Sequence, residues 1–117
     1  MKIKKNVLLS KYTTFKIGGP AKFFVEVENI DELKEALKYA KNNQLNFFIL
    51  GSGSNILASD RGFDGLIIRM KLNQIKIDNN IIDVEAGVNL AKIIDISVQN
   101  NLSGLEWAAG IPGTLGG

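Results

Sequence analysis

Residues 21 to 50 carry a strand–helix–strand signature, and it constrains the fold more than any other feature of the chain. From Ala21 to Glu28, Phe23, Val25 and Val27 alternate with Phe24, Glu26 and Glu28, which predicts a strand with one buried face. Asn29 then stands as a helix cap, with Glu32 at the spacing of a capping box. Ile30, Leu33, Ala36, Leu37 and Ala40 recur at helical spacing. Asp31, Glu32 and Glu35 lie early in this helix and Lys38 and Lys41 late, as the helix dipole favours, and Asn42 and Asn43 end it. Phe47, Phe48, Ile49 and Leu50 form a continuous apolar run, which predicts a strand covered on both faces and stopped by Gly51. Such a βαβ unit predicts parallel strands joined by a right-handed crossover.

Beyond a loop from Gly51 to about Gly65, Leu66, Ile67 and Ile68 predict another short buried strand. The pattern then changes. Gln74 to Asp78 and Ile82 to Ala86 alternate around Asn79-Asn80, a turn pair that tolerates positive φ, and this predicts an antiparallel hairpin. Asn89 caps a second helix with Leu90, Ile93, Ile94 and Val98 on one stripe, closed by Asn100-Asn101. Leu102 to Ala109 has room for one further short helical turn around Leu105 and Trp107. The fold class is therefore α+β, a small parallel unit followed by the start of an antiparallel one.

The 117 residues allow one domain, with 45% hydrophobic and 22% charged residues, which are globular proportions. Fourteen basic against twelve acidic residues leave a net charge of +2, too even for a nucleic-acid footprint. No apolar run reaches the roughly 18 residues of a membrane span, and Val7 to Leu9 is too short for a signal peptide, so no membrane partner and a cytoplasmic location are expected. With neither Cys nor His, the chain has no disulfide, thiolate nucleophile, Cys/His zinc site or Ser-His-Asp triad, and no acidic cluster suggests a metal.

Two glycine-dense segments carry the chemistry. Gly51-Ser52-Gly53-Ser54-Asn55 lies at the carboxyl end of a predicted parallel strand, where open α/β sheets place ligands. Its glycines let successive amides turn inward as an anion nest, and Ser52, Ser54 and Asn55 add short donors. The P-loop lysine is absent, and Ile56 stands where a dinucleotide fingerprint would have its third glycine. Alone, this loop reads equally as a plain tight turn or a phosphate site. Four of the last eight residues, Gly110-Ile111-Pro112-Gly113-Thr114-Leu115-Gly116-Gly117, are glycine, and they offer a second set of backbone donors, or a helix N-terminus, to the same anion. Two such loops suit a long phosphorylated cofactor, and the glycine-dense end predicts a truncated domain. Gly18-Gly19-Pro20 is expected to be a structural bend, Asp60, Arg61 and Asp64 a solvated turn, and Arg69 half of a structural ion pair. Glu106 reads as a perturbed carboxylate or as a helix cap, and Trp107 is expected in the core.

Thr13-Thr14-Phe15-Lys16-Ile17-Gly18-Gly19-Pro20-Ala21, Leu50-Gly51-Ser52-Gly53-Ser54-Asn55-Ile56-Leu57, Gly65-Leu66-Ile67-Ile68, Ala86-Gly87, Leu102-Ser103-Gly104-Leu105-Glu106 and Gly110 to Gly117 follow one another in this order. This resembles the UDP-N-acetylenolpyruvoylglucosamine reductases, flavoenzymes of bacterial peptidoglycan precursor synthesis. The resemblance implies an FAD-binding domain of the vanillyl-alcohol-oxidase type, with residues 1–70 as a first α/β subdomain and 71–117 as part of a second, ahead of a substrate domain. It implies that Leu50, Gly51, Ser52, Gly53, Ser54, Asn55 and Ile56 hold the FAD pyrophosphate, and that Gly110, Ile111, Gly113, Thr114, Gly116 and Gly117 close over it. In that family hydride passes from NADPH through the flavin to an enolpyruvyl double bond of a nucleotide sugar. No position here matches the family's catalytic serine, arginine and glutamate, so no catalytic residue is expected and the chain alone is expected to be inactive. Wider relatives tether flavin through histidine; with neither His nor Cys, FAD is expected to be non-covalent. Exposed sheet edges and apolar surface predict weak or no FAD retention, with self-association covering the exposed faces.

Overall fold

The computed structural model describes all residues, Met1 to Gly117. Its strands are β1 (Lys4–Leu8), β2 (Pro20–Val27), β3 (Asn46–Leu50), β4 (Phe63–Met70), β5 (Ile75–Asp78) and β6 (Ile81–Val84); its helices are α1 (Ile30–Asn42) and α2 (Leu90–Gln99). The first four strands form one sheet in the order β1-β2-β4-β3, and β5 and β6 form a second. Strand β4 runs parallel to both β2 and β3, and β1 runs antiparallel to β2. Strands β2 and β3 are thus parallel as the βαβ pattern predicts, but β4 sits between them.

That insertion corrects the expectation for β3. Phe47, Phe48 and Ile49 are 50%, 43% and 40% exposed, because β3 is the sheet edge. Strand β4 is covered on both faces instead, and there Leu66, Ile67 and Ile68 are buried. An apolar run records that a strand is hydrophobic and leaves its sheet position open. Strand β1 was not expected at all. Its residues Lys4 to Leu8 are mostly polar and exposed, as suits an edge, and Asn6 has a positive φ of 54° that interrupts any alternation.

Both faces of the first sheet carry a core. Val25, Val27, Leu66, Ile68 and Leu72 pack with Ala36 and Ala40 of α1. On the opposite face Leu9, Ala21, Phe24, Leu50 and Ile67 cluster together. Strand β2 therefore buries both faces, where its alternation predicts one. Phe24 goes to the second core, and the register with β4 shifts between Ala21 and Phe23. Tyr12 covers Phe24 with ring centroids 4.6 Å apart. Glu26 pairs with Arg69 at 3.4 Å and Lys71 at 3.2 Å, which assigns Arg69 the structural role expected of it.

Helix α1 is capped as its sequence predicts, with Asn29 Oδ1 accepting the Glu32 amide at 2.9 Å. The Glu32 carboxylate reaches back one residue further than the standard box and accepts from the Glu28 amide at 2.8 Å. In the second half, the β5–β6 hairpin turns at Asn79, whose φ is 54°, and its ladder ends at Val84. Helix α2 begins at Asn89, whose side chain accepts from the Ala91 amide at 2.8 Å. It buries Ile93 and Ser97, while Val98, expected on the buried stripe, is 61% exposed. Trp107 lies in a 3-10 turn, Glu106–Ala108, and is 76% exposed, which corrects its expected place in the core. A two-stranded hairpin and one helix supply too few partners to enclose an indole.

Candidate functional site

Strand β3 delivers the first glycine-rich bend. Leu50 is anchored in the core beneath it, and the chain leaves the sheet at Gly51. Gly53 then packs face-on against the backbone of Tyr12 and Thr13, with φ +74°. A Cβ there would run into the Tyr12 carbonyl oxygen, so only glycine fits. The Thr14 amide donates to the Gly53 carbonyl at 3.0 Å and pins the bend to that platform. With the carbonyl of Gly53 held, the amides of Ser52, Gly53, Ser54, Asn55 and Ile56 donate to no carbonyl and to no side chain. A run of unpaired amides in a turn is the concave donor set that binds anions.

The second bend is tied to the chain entering α2. Asn89 and Thr114 form an isolated antiparallel bridge, the Leu90 amide donates to Gly113 at 3.0 Å, and the Leu115 amide donates to Val88 at 2.9 Å. This pairing lays residues 113–114 against the first bend. A Cβ on Gly113 would lie 3.1 Å from Ser54 Oγ, and one on Gly51 would lie 2.9 Å from Thr114 Oγ1. Between them is a cavity of about 440 Å³. Its wall holds Gly51 to Ile56 from one bend and Ile111 to Thr114 with Gly117 from the other.

The second bend offers fewer donors than its glycine content suggests. The amides of Ile111, Leu115, Gly116 and Gly117 already serve carbonyls of Ala108, Val88, Ala86 and Thr114. Gly113 and Thr114 keep unpaired amides. Gly110 and Gly116 lie outside the cavity wall, and Leu50 lines a neighbouring apolar cavity instead. Phe48, Ile49, Pro112 and Leu90 also line the main cavity, and sequence reasoning missed them. The position of Phe48 and Ile49 just before a glycine loop was a usable signal; for Leu90 there was none, because it arrives from the start of α2, far along the chain.

No charged side chain lines the cavity. An anion there meets backbone amides and the short polar side chains of Ser52, Ser54, Asn55 and Thr114, and no side-chain carboxylate opposes it. Nowhere in the chain do three metal-ligating side chains gather. Glu106 sits elsewhere: its own amide and that of Gly104, 2.8 Å away, hold its carboxyl below the usual carboxylate range. Its carboxylate ties down the Gly104 amide ahead of the Glu106–Ala108 turn and caps no helix. The donor set, unpaired backbone amides with short polar side chains beside them and with neither acids nor metal ligands in the wall, fits the diphosphate of a dinucleotide cofactor.

Residues 21–117 match the FAD binding domain family, and the chain belongs to it. Its fold is the vanillyl-alcohol-oxidase type that the resemblance implied, and FAD is the cofactor of that domain. More particularly, the chain is similar to UDP-N-acetylenolpyruvoylglucosamine reductases. It is 42% identical over 116 residues to that of Clostridium tetani, covering 98% of this chain and 38% of the relative. It is 46% identical over 114 residues to that of Caldicellulosiruptor saccharolyticus, covering 97% and 37%. The crystal structure of the Thermus caldophilus reductase superposes over the whole chain and 41% of its own, with TM-score 0.80 and 36% identity. Aclacinomycin oxidoreductase shares the fold, with TM-score 0.63 at 14% identity over 84% of this chain and 22% of its own. The chain therefore spans about 38% of the length of its curated relatives.

Proposed function

We propose that this chain is the FAD-binding part of an NADPH-dependent UDP-N-acetylenolpyruvoylglucosamine reductase, an enzyme of peptidoglycan synthesis. The observation that carries the reading is the meeting of two glycine-rich bends around one uncharged cavity, with unpaired amides from Ser52 to Ile56 and at Gly113 and Thr114. When bound, FAD supplies a carrier of hydride between NADPH and the enolpyruvyl double bond of the nucleotide-sugar substrate. This chain's residues hold and orient the cofactor without a covalent bond. The first subdomain, 1–70, supplies the Gly51 to Ile56 bend, and the second, from 71, closes it with Ile111 to Thr114 and Gly117. We assign no catalytic residue to the chain. NADPH and a nucleotide sugar as substrates favour a cytoplasmic enzyme. The exposed apolar side chains of Ile81, Val98 and Trp107 favour self-association of the chain by itself.

The test is a titration of the chain with FAD, followed by protein-dependent change in the flavin absorbance band. Saturable binding that exchanges on dialysis is expected, with no turnover on adding NADPH and substrate. Failure of FAD to perturb the band at any concentration overturns the reading.

A further inference from the structure

Tyr12 ends a 3-10 turn, Leu9–Lys11, that packs on the second core of the first sheet. Its amide donates to the Leu9 carbonyl at 2.9 Å, and the Leu9 amide donates to Gly19 at 2.9 Å. The Tyr12 ring meets two groups carried by that sheet. One is Phe24, with ring centroids 4.6 Å apart, and the other is the Arg69 guanidinium, 4.9 Å from the ring centroid. Arg69 is aimed by the Glu26 carboxylate at 3.4 Å, and in the sheet it stands opposite both Glu26 of β2 and Leu50 of β3. The backbone carbonyl of the same Tyr12 faces Gly53. Of the backbone hydrogen bonds in turns and loops, the one from the Thr14 amide to the Gly53 carbonyl, at 3.0 Å, is the one that reaches residues 51–56. Tyr12 itself does not line the cavity.

From these contacts we propose that Tyr12 is a positioning residue of the cofactor site, a role whose consequence for binding rests on the FAD reading above. Its ring, held by Phe24 and Arg69, fixes the backbone of residues 12–14, against which the Gly51 to Ile56 bend sets its amides. The bend cannot order itself. Its amides from Ser52 to Ile56 have no carbonyl partners, and Gly51 and Gly53 leave its backbone free to flex. A donor set binds an anion well only when its geometry is fixed before the anion arrives. That order must come from the platform beneath. An aromatic ring stacked on a core phenylalanine and met by a guanidinium has little freedom to turn. The Cα–Cβ bond passes this restraint to the Tyr12 backbone and so to Gly53. Because Glu26 holds the guanidinium, an ion pair of the sheet acts on the bend through the ring, with neither charge lining the cavity.

The experiment compares Tyr12→Leu, Tyr12→Phe and Arg69→Met with the unaltered chain, by FAD titration and by backbone amide relaxation without ligand. In the unaltered chain the Ser52 to Ile56 amides are expected to have order parameters of about 0.85, and in Tyr12→Leu below about 0.6. The amides of α2 are the control and are expected to stay as they are. FAD affinity is expected to fall about tenfold in Tyr12→Leu and about threefold in Arg69→Met. Tyr12→Phe keeps the stack and is expected to restore both readings. In the double variant the losses are expected not to add, because Arg69 acts through the ring. Ordered bend amides in a folded Tyr12→Leu overturn the proposal, and so do strictly additive losses. Should Tyr12→Leu not fold, Arg69→Met decides alone, and unchanged order parameters and affinity there overturn it. If the unaltered chain takes up no FAD while the bend still loosens in Tyr12→Leu, the FAD reading falls and the ordering of the bend by Tyr12 stands.

Discussion

Gly51 and Thr114 lie on different bends, 63 positions apart in the chain, yet a Cβ on Gly51 would stand 2.9 Å from Thr114 Oγ1. The pair is the seam between the two halves of the proposed cofactor site. It places a loop that ends a parallel strand against a segment bridged to the cap of α2. The seam is closed by van der Waals contact, without any ion pair.

Substituting this seam separates binding from folding. Gly51 does not have a positive φ, so Gly51→Ala costs no backbone strain and is expected to leave the thermal midpoint nearly unchanged. It pushes the bends apart and is expected to weaken FAD binding about tenfold, or about 1.4 kcal/mol. Adding Thr114→Ala removes the offending oxygen and is expected to restore most of that loss. A double-mutant cycle read by FAD titration measures the coupling. Strictly additive losses would show that the seam does not govern the cavity.

Gly53 behaves differently. Gly53→Ala forces a side chain into the Tyr12 carbonyl at a φ of +74°. Both effects act on the folded state, and a loss of about 2 kcal/mol or more is expected. A chain of this size should then melt several degrees lower, at about 4–8 °C per kcal/mol. FAD binding should fall as well, since the Ser52 to Ile56 amides lose their platform. An unchanged melting curve would show that the bend can leave Tyr12 freely.

The cavity's lack of charge makes a third expectation. A cofactor diphosphate held by Lys or Arg loses affinity steeply as salt screens the pair. In the proposed site backbone dipoles would do the holding, and no cationic side chain lines the wall. FAD affinity is expected to change by less than about threefold between about 0.05 and 0.5 M salt. A steep dependence, measured by titration across that range, would place a basic residue on the diphosphate.

Much of this arrangement follows from local pattern. The Asn29 and Asn89 caps, the helical spacing after each, the Asn79 turn and the alternating hairpin are written in neighbouring residues, and the structure has them. Local physics governs each: a cap satisfies amides a turn away, and periodicity sorts side chains onto faces. The two glycine segments are equally legible, because a bend of this kind needs residues without a Cβ. What local pattern left open was which strand is central. Phe47 to Leu50 is as apolar as Leu66 to Ile68, yet the first is an edge and the second is enclosed. That distinction depends on pairing between distant segments, as does the unexpected strand β1. The same holds at the site. Composition placed glycines in the second bend, but only the Asn89–Thr114 bridge decided that Gly113 and Thr114 keep their amides while Leu115, Gly116 and Gly117 spend theirs. A free donor is defined by what does not reach it, and that is settled by the assembled chain.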